Sequence, residues 1–199
     1  RKATRKVIFF SGCMITYGNP RIGQAVMDVL QRNGVDVVVP KEQVCCGLPS
    51  LAAGDRETFE GLRQQNLKVL RENDCDAIIT GCASCGSTLK EHYGPELPMK
   101  IYDFSEFLID QIKLSPPPLR VEKTVTYHDP CHLRKSQRIK SQPRSLLKRI
   151  PGLSFQDVKD PDRCCGFGGT FSLNYPSLSQ QINDTTVKQL VETNAEMVV

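Results

Sequence analysis

Cysteine is the residue whose numbers and spacing could do chemistry in this chain. Nine occur in 199 residues, a high and odd count. Eight fall in a repeated register. Cys13, the adjacent pair Cys45-Cys46, and Cys82 with Cys85 spell C-x31-CC-x35-C-x2-C. Farther along, Cys131 and the pair Cys164-Cys165 spell C-x32-CC, and a glycine follows each pair, in "VCCGLPS" and "RCCGFGG". Sulfur-rich ligation restricts a metal centre to iron–sulfur, zinc or copper(I). Zinc and a cubane iron–sulfur cluster each take four thiolates. Five thiols exceed both. Adjacent cysteines chelate a single ion only with strain but can reach two irons of a larger centre. The spacing therefore points to a multi-iron centre of unusual shape, or to a four-ligand site with a spare thiol.

These thiols converge only if the fold brings them together. Strands are expected at residues 6–10, 35–39, 76–80 and 99–103. Helices are expected at 20–33 (Asn19 as N-cap, Pro20 first, Ile22, Ala25, Val26, Val29 and Leu30 inward), 55–73, 84–93 and 105–112. Strands alternating with helices imply a parallel sheet with helices on its faces. "LSPPPLR" at 114–120 interrupts the pattern, because three prolines fit neither helix interior nor central strand. The alternation then restarts, with strands at 123–128, 153–158 and 195–199 and helices at 142–150 and 176–193. The expected organisation is a first cysteine-rich unit at 1–113, a linker at 114–120 and a second unit at 121–199. The fold class is α/β, two tandem pseudo-equivalent units with parallel sheets flanked by helices. A repeat of roughly 120 residues is a duplicated domain, not a short-period solenoid. Open parallel sheets gather their sites outside the carboxyl ends of the strands. Each cysteine of the register follows an expected strand, so residues distant in sequence meet on one rim.

Composition narrows the classes. Apolar residues make up 39%, charged residues 24%, and the net charge is +4. No run of about 18 apolar residues spans a membrane. The basic start "RKATRKVIFFSG" has too short an apolar run for a signal peptide, and Arg1 in place of Met fits an excised fragment. The basic run 132–149, with seven Lys or Arg and no acid, reads as a solvated face or as an anion or partner-docking surface. No nucleic-acid motif accompanies it. "CASC" mimics a thioredoxin-type redox motif, and Gly86 stands where haem attachment needs His. Cys75 is outside the register and reads as a small core residue. His128 and His132 flank Cys131 and could move protons, tune a cluster or bond loop backbone; His92 reads as surface.

The spacing, with glycine after each pair, resembles the cysteine-rich CCG domain. That domain occurs in heterodisulfide reductase and in iron–sulfur subunits of glycolate, lactate and anaerobic glycerol-3-phosphate oxidation complexes. The resemblance covers essentially the whole chain as two copies. "RCCGFGGTFSL" and "YHDPCHL" look most like the lactate and glycolate branch. It implies a noncubane or cubane 4Fe-4S cluster held by Cys13, Cys45, Cys46, Cys82 and Cys85, with Cys131, Cys164 and Cys165 as ligands in the second copy. Zinc is the alternative metal, assigned to some copies in the family. The chain departs from the family in lacking a second C-x2-C. The repeat register aligns Val199 with Ile79, so a further C-x2-C is expected soon after Val199.

The implied role is electron transfer within an oxidoreductase. Its implied partners are a flavoprotein and other iron–sulfur subunits. The implied location is cytoplasmic, at the inner membrane face through partner subunits. No Rossmann or flavin motif appears, so the organic substrate is expected to react elsewhere in the complex. The rival readings are a zinc-stapled docking scaffold and a thiol–disulfide reductase acting at the cluster.

Overall fold

The structure is a computed structural model that describes residues 5–199. The basic start of the chain, residues 1–4, lies outside the described residues. The chain divides into two compact units, with the boundary between Ser115 and Pro116.

In the first unit, β1 (Arg5–Phe9), β2 (Val35–Val38), β3 (Ala77–Thr80) and β4 (Lys100–Asp103) form one sheet in the order β2-β1-β3-β4. All neighbours are parallel, with Ile8 opposite both Val38 and Ile78, and Ile78 opposite Ile101. Val7, Ile8, Ile78 and Ile79 are fully buried, as apolar strands covered on both faces require. The connections are α1 (Pro20–Arg32) between β1 and β2, then α2 (Leu48–Ala52) and α3 (Arg56–Arg71) between β2 and β3. α4 (Ala83–Thr88) leads to β4, and α5 (Phe104–Glu106) follows it. α3 starts where the Asp55 side chain accepts the Thr58 N–H, carries Glu57 in its first turn and ends with Lys68 and Arg71, complementing the helix dipole.

The second unit repeats the plan. β5 (Lys123–Thr126), β6 (Leu153–Phe155) and β7 (Met197–Val198) form a parallel sheet in the order β6-β5-β7. Between them run α6 (Ser141–Leu147), α7 (Phe171–Asn174) and α8 (Pro176–Val191). Individual bonds recur as well. The Lys6 N–H donates to the Asp76 carboxylate and the Lys6 carbonyl accepts from the Asp76 N–H. Thr124 and Glu196 exchange the same two bonds. The Phe10 N–H donates to the Ile79 carbonyl at 2.8 Å, and the His128 N–H donates to the Val199 carbonyl at 2.9 Å.

Local details differ from the sequence reading. Asn19 precedes α1 but its side chain makes no cap bond. The buried face of α1 is Gly23, Val26 and Leu30, while Ile22 and Ala25 are exposed. Ile15, on a wide turn over Met14–Gly18, packs against Gly23 and takes the place expected for Ile22. The helix expected at 84–93 closes as α4 plus a wide turn over Leu89–Tyr93. The strand expected at 153–158 stops at Phe155, because Asp157 turns aside to pair with Arg144. Among the described residues no helix is long and apolar enough to cross a membrane.

Candidate metal centre

Each cysteine of the first set stands just beyond a strand or its loop, at the carboxyl rim of the sheet. Cys13 follows β1 and opens the Met14–Gly18 turn. Cys45 and Cys46 lie in the loop between β2 and α2. Cys82 is the residue before α4, and Cys85 lies within it. Two subsets form. The sulfurs of Cys13 and Cys45 are 3.9 Å apart. Cys85 hydrogen-bonds with both Cys46 and Cys82. Gly12 joins the subsets. It has φ +64°, and a Cβ there would lie 2.8 Å from the Cys85 sulfur, so only glycine lets this loop pass so close. Gly47, after the pair, is equally constrained: φ is +85° and a Cβ would meet the Phe59 ring at 2.7 Å.

The electrostatics favour thiolates at two positions. The bond with Cys85 pulls Cys82 down to about 6, against a burial cost, and the N–H groups of Cys85 and Ser84 add to it. The bond with Cys85 likewise lowers Cys46 to about 7, helped by the Leu48 N–H and the Thr88 hydroxyl. Cys85 itself is pushed up by serving Cys46 and Cys82 and by burial. Burial raises Cys45 to about 11, although the Gly47 N–H opposes this. Cys46 and Cys85 belong to the hydrophobic core, while Cys45 and Cys82 pack against it. On the Cys13–Cys45 side, a cleft of about 380 Å³ opens, lined among others by Gly12, Thr16, Tyr17 and Lys41. The donor set fits a sulfur-ligated centre: five thiols of one unit share one rim, and two of them favour the ligating form. Among the described residues, no group of three or more His, Cys, Asp or Glu side chains is arranged to hold a single metal ion.

The second set is more open. Cys131 follows β5; it hydrogen-bonds with Cys164, and burial followed by the neighbouring thiols raises its pKa. The Gly166 N–H donates to the Cys164 sulfur at 3.4 Å. Cys164 is exposed, and Cys131 and Cys165 are half-buried. His128 and His132 are half-buried beside Cys131. Cys75 packs against the first unit's core, and burial raises it. His92 is half-buried rather than on the surface, its ring 5.3 Å edge-on from Phe59. The basic run 132–149 is not a bare cationic face. Arg134 and Arg144 are 12% and 13% exposed, and both reach Asp129.

Sequence reasoning missed the polar side chains behind the thiols, chiefly Asn66 and Tyr93. Asn66 was detectable: it lies in register with Phe59, Leu62 and Leu70 on the apolar face of α3, where a polar residue needs a partner.

Comparison with known proteins places this geometry in a family. The model of the cysteine-rich CCG domain matches residues 7–90 and again 125–199. The chain belongs to that family, with two copies in tandem. It is 39% identical over 200 residues to a fumarate reductase (CoM/CoB) subunit of Methanothermobacter marburgensis, covering 98% of this chain and 39% of that protein. It is 33% identical over 211 residues to the probable glycolate oxidase iron-sulfur subunit of Bacillus subtilis, covering 98% of this chain and 47% of the relative. Lactate utilization protein A of Bacillus pumilus is 31% identical over 206 residues, 98% of this chain and 86% of its own length. The chain thus spans about two fifths of the methanogen relatives it matches, two of which are named uncharacterized iron-sulfur proteins.

Proposed function

We propose that this chain is the iron–sulfur-binding, electron-transferring region of an oxidoreductase complex. Cys13, Cys45, Cys46, Cys82 and Cys85 hold the cluster in the first unit. Cys131, Cys164 and Cys165 are ligands of a second site. The observation that supports the reading is the placement of five cysteines after three parallel strands of one sheet, in two sulfur subsets, with Cys46 and Cys82 biased toward thiolate. The names of relatives as iron–sulfur subunits support it. A bound cluster supplies one-electron storage; the protein sets its position, its charge environment and its access to solvent.

The chain's own residues give that centre two unlike sides. Cys46 and Cys85 face the core, which keeps water away. Cys13 and Cys45 line the open cleft, so electrons enter and leave on that side. The proposed partners are a flavoprotein that oxidises the organic substrate and further iron–sulfur subunits. All nine cysteines are free, which fits a reducing, cytoplasmic location, reached at the inner membrane face through those partners.

Anaerobic isolation with metal, acid-labile sulfide and visible absorption measurements tests the reading. Iron with sulfide is expected, with loss or spectral change in Cys46→Ser and parental loading in Cys75→Ser. A colourless protein with one zinc per unit would replace it with the zinc-stapled scaffold.

A further inference from the structure

The pair Cys45-Cys46 poses a geometric problem. The residues are neighbours in the chain, yet their sulfurs serve different partners: Cys45 approaches Cys13, and Cys46 bonds with Cys85. The loop between β2 and α2 has no ladder or helix to fix its carbonyls. Buried carbonyls need donors from elsewhere.

Two buried side chains supply them. Asn66 of α3 is fully buried. Its Oδ1 accepts the Val44 N–H at 2.9 Å. Its Nδ2 lies 3.0 Å from the Cys45 carbonyl, 3.3 Å from the Val44 carbonyl and 3.3 Å from the Tyr93 hydroxyl oxygen. Tyr93, also fully buried, donates its hydroxyl to the Cys46 carbonyl at 2.9 Å. Consecutive carbonyls from Val44 to Cys46 are thus held by one connected network.

We propose that Asn66 and Tyr93 are positioning residues that lock the cysteine-pair backbone, so that two adjacent thiols diverge toward different parts of one multi-metal centre. The proposal rests on the cluster reading above. Its independent support comes from the second unit. There the Thr186 hydroxyl of α8 donates to the Cys164 carbonyl at 3.0 Å, and the Asn183 amide donates to the Cys165 carbonyl at 3.2 Å. The repeat register places Thr186 opposite Asn66. The first carbonyl of each pair is therefore bonded from the same helix position, by an amide in one unit and a hydroxyl in the other. The second carbonyl is bonded from different elements, Tyr93 after α4 and Asn183 within α8. The residues changed and the bonds stayed, which marks the pair's backbone geometry as the thing maintained. A polar core residue kept only for packing has no reason to find the same carbonyl twice.

The test uses the full chain carrying Tyr93→Phe or Asn66→Asp, reconstituted anaerobically with ferrous iron and sulfide. Tyr93→Phe keeps the ring and removes one donor; Asn66→Asp keeps the shape and removes both amide hydrogens. Both are expected to bind at most half the parental iron in the first unit and to give an altered electron paramagnetic resonance spectrum per bound iron. In protein without metal, the ratio of Cys45 to Cys46 alkylation rates is expected to change at least threefold. Leu89→Val, a packing variant in the same core cluster, is expected to melt earlier but keep the parental spectrum per iron. If Asn66→Asp does not fold, Tyr93→Phe decides. Parental iron, spectrum and alkylation ratio in Tyr93→Phe would overturn the proposal. If the parent binds no iron but the alkylation ratio still shifts, the cluster reading fails and the brace stands; if neither responds, both fall.

Discussion

Cys46 in the first unit is 3% exposed, and the core closes over it. Its counterpart Cys165 is half-buried, next to an exposed Cys164. The same contrast runs through the scaffold behind the pairs. Leu67 on α3 is fully buried, whereas Val187, its counterpart on α8, is 46% exposed. In the first unit Leu89, Tyr93 and Ile101, all following β3, pack into the cluster that holds Leu67, Ile78, Cys46 and Cys85. The strands and helices of the two units are alike, and the sequence stops at β7, before any counterpart of Leu89, Tyr93 and Ile101. The polar lining also changed. Ser11, Thr16 and Gln43 form a neutral network beside Cys13. At the corresponding positions beside Cys131 stand Asp129, Arg134 and Asp162, joined by charge. A duplicated fold can thus keep its backbone bonds while the polar residues beside the cysteines change from a neutral network to a charged one.

The largest expected break in this comparison is in the cores. Leu67→Ala should cost about 3–4 kcal/mol, since a fully buried leucine leaves both lost transfer energy and a cavity. Val187→Ala, at the matching position but half in water, should cost about 0.5 kcal/mol. Urea unfolding of the full chain checks both values. Equal losses would mean that α8 is covered as α3 is. A smaller but still clear contrast lies in the polar lining. Asp129 is 2% exposed and faces both Arg134 and Arg144. Asp129→Ala should destabilise by about 3 kcal/mol, near the low end for breaking a buried ion pair, because each arginine keeps a second carboxylate. Ser11→Ala should cost about 1 kcal/mol, one net hydrogen bond. A second unit indifferent to Asp129→Ala would show that its charges are only surface pairs.

What could be read in advance divides along physical lines. The strands were legible because "KVIFF" and "DAIIT" are apolar runs bounded by turn residues. The arrangement of cysteines on one rim was legible because parallel sheets put strand-end loops together. Nothing local announces α2, whose five residues Leu48–Ala52 depend on the turn at Gly47. Nor does local sequence reveal that Arg134 and Arg144, in a run that looks like a solvated cationic face, fold inward onto Asp129. Pairings across 5 and 15 residues of chain are tertiary facts. The same holds for Tyr93, which reads as an aromatic at a helix end and turns out to donate to a carbonyl 47 residues away.

The smallest expected effect separates the units by proton. Hydrogen bonds from Arg144 hold the Asp157 carboxyl below the usual carboxylate range, with burial opposing. Val39 occupies the corresponding place in the first unit, by the register of β1 with β2 and of β5 with β6, and has no proton to exchange. A depressed folded pKa means that the folded state prefers the ionised form. Asp157 therefore contributes stability above its unfolded value of about 3.9, and loses it as pH falls through the folded value. Its side chain is 44% exposed, so solvent screening keeps the contribution under about 1 kcal/mol. Asp157→Asn should be less stable than the parent at pH 7, and the gap should close as pH falls below about 4. Chemical denaturation of parent and variant between pH 7 and pH 3 measures it. A gap that stays constant with pH would assign Asp157 a neutral hydrogen-bonding role and remove the ionic distinction between the two linings at this position.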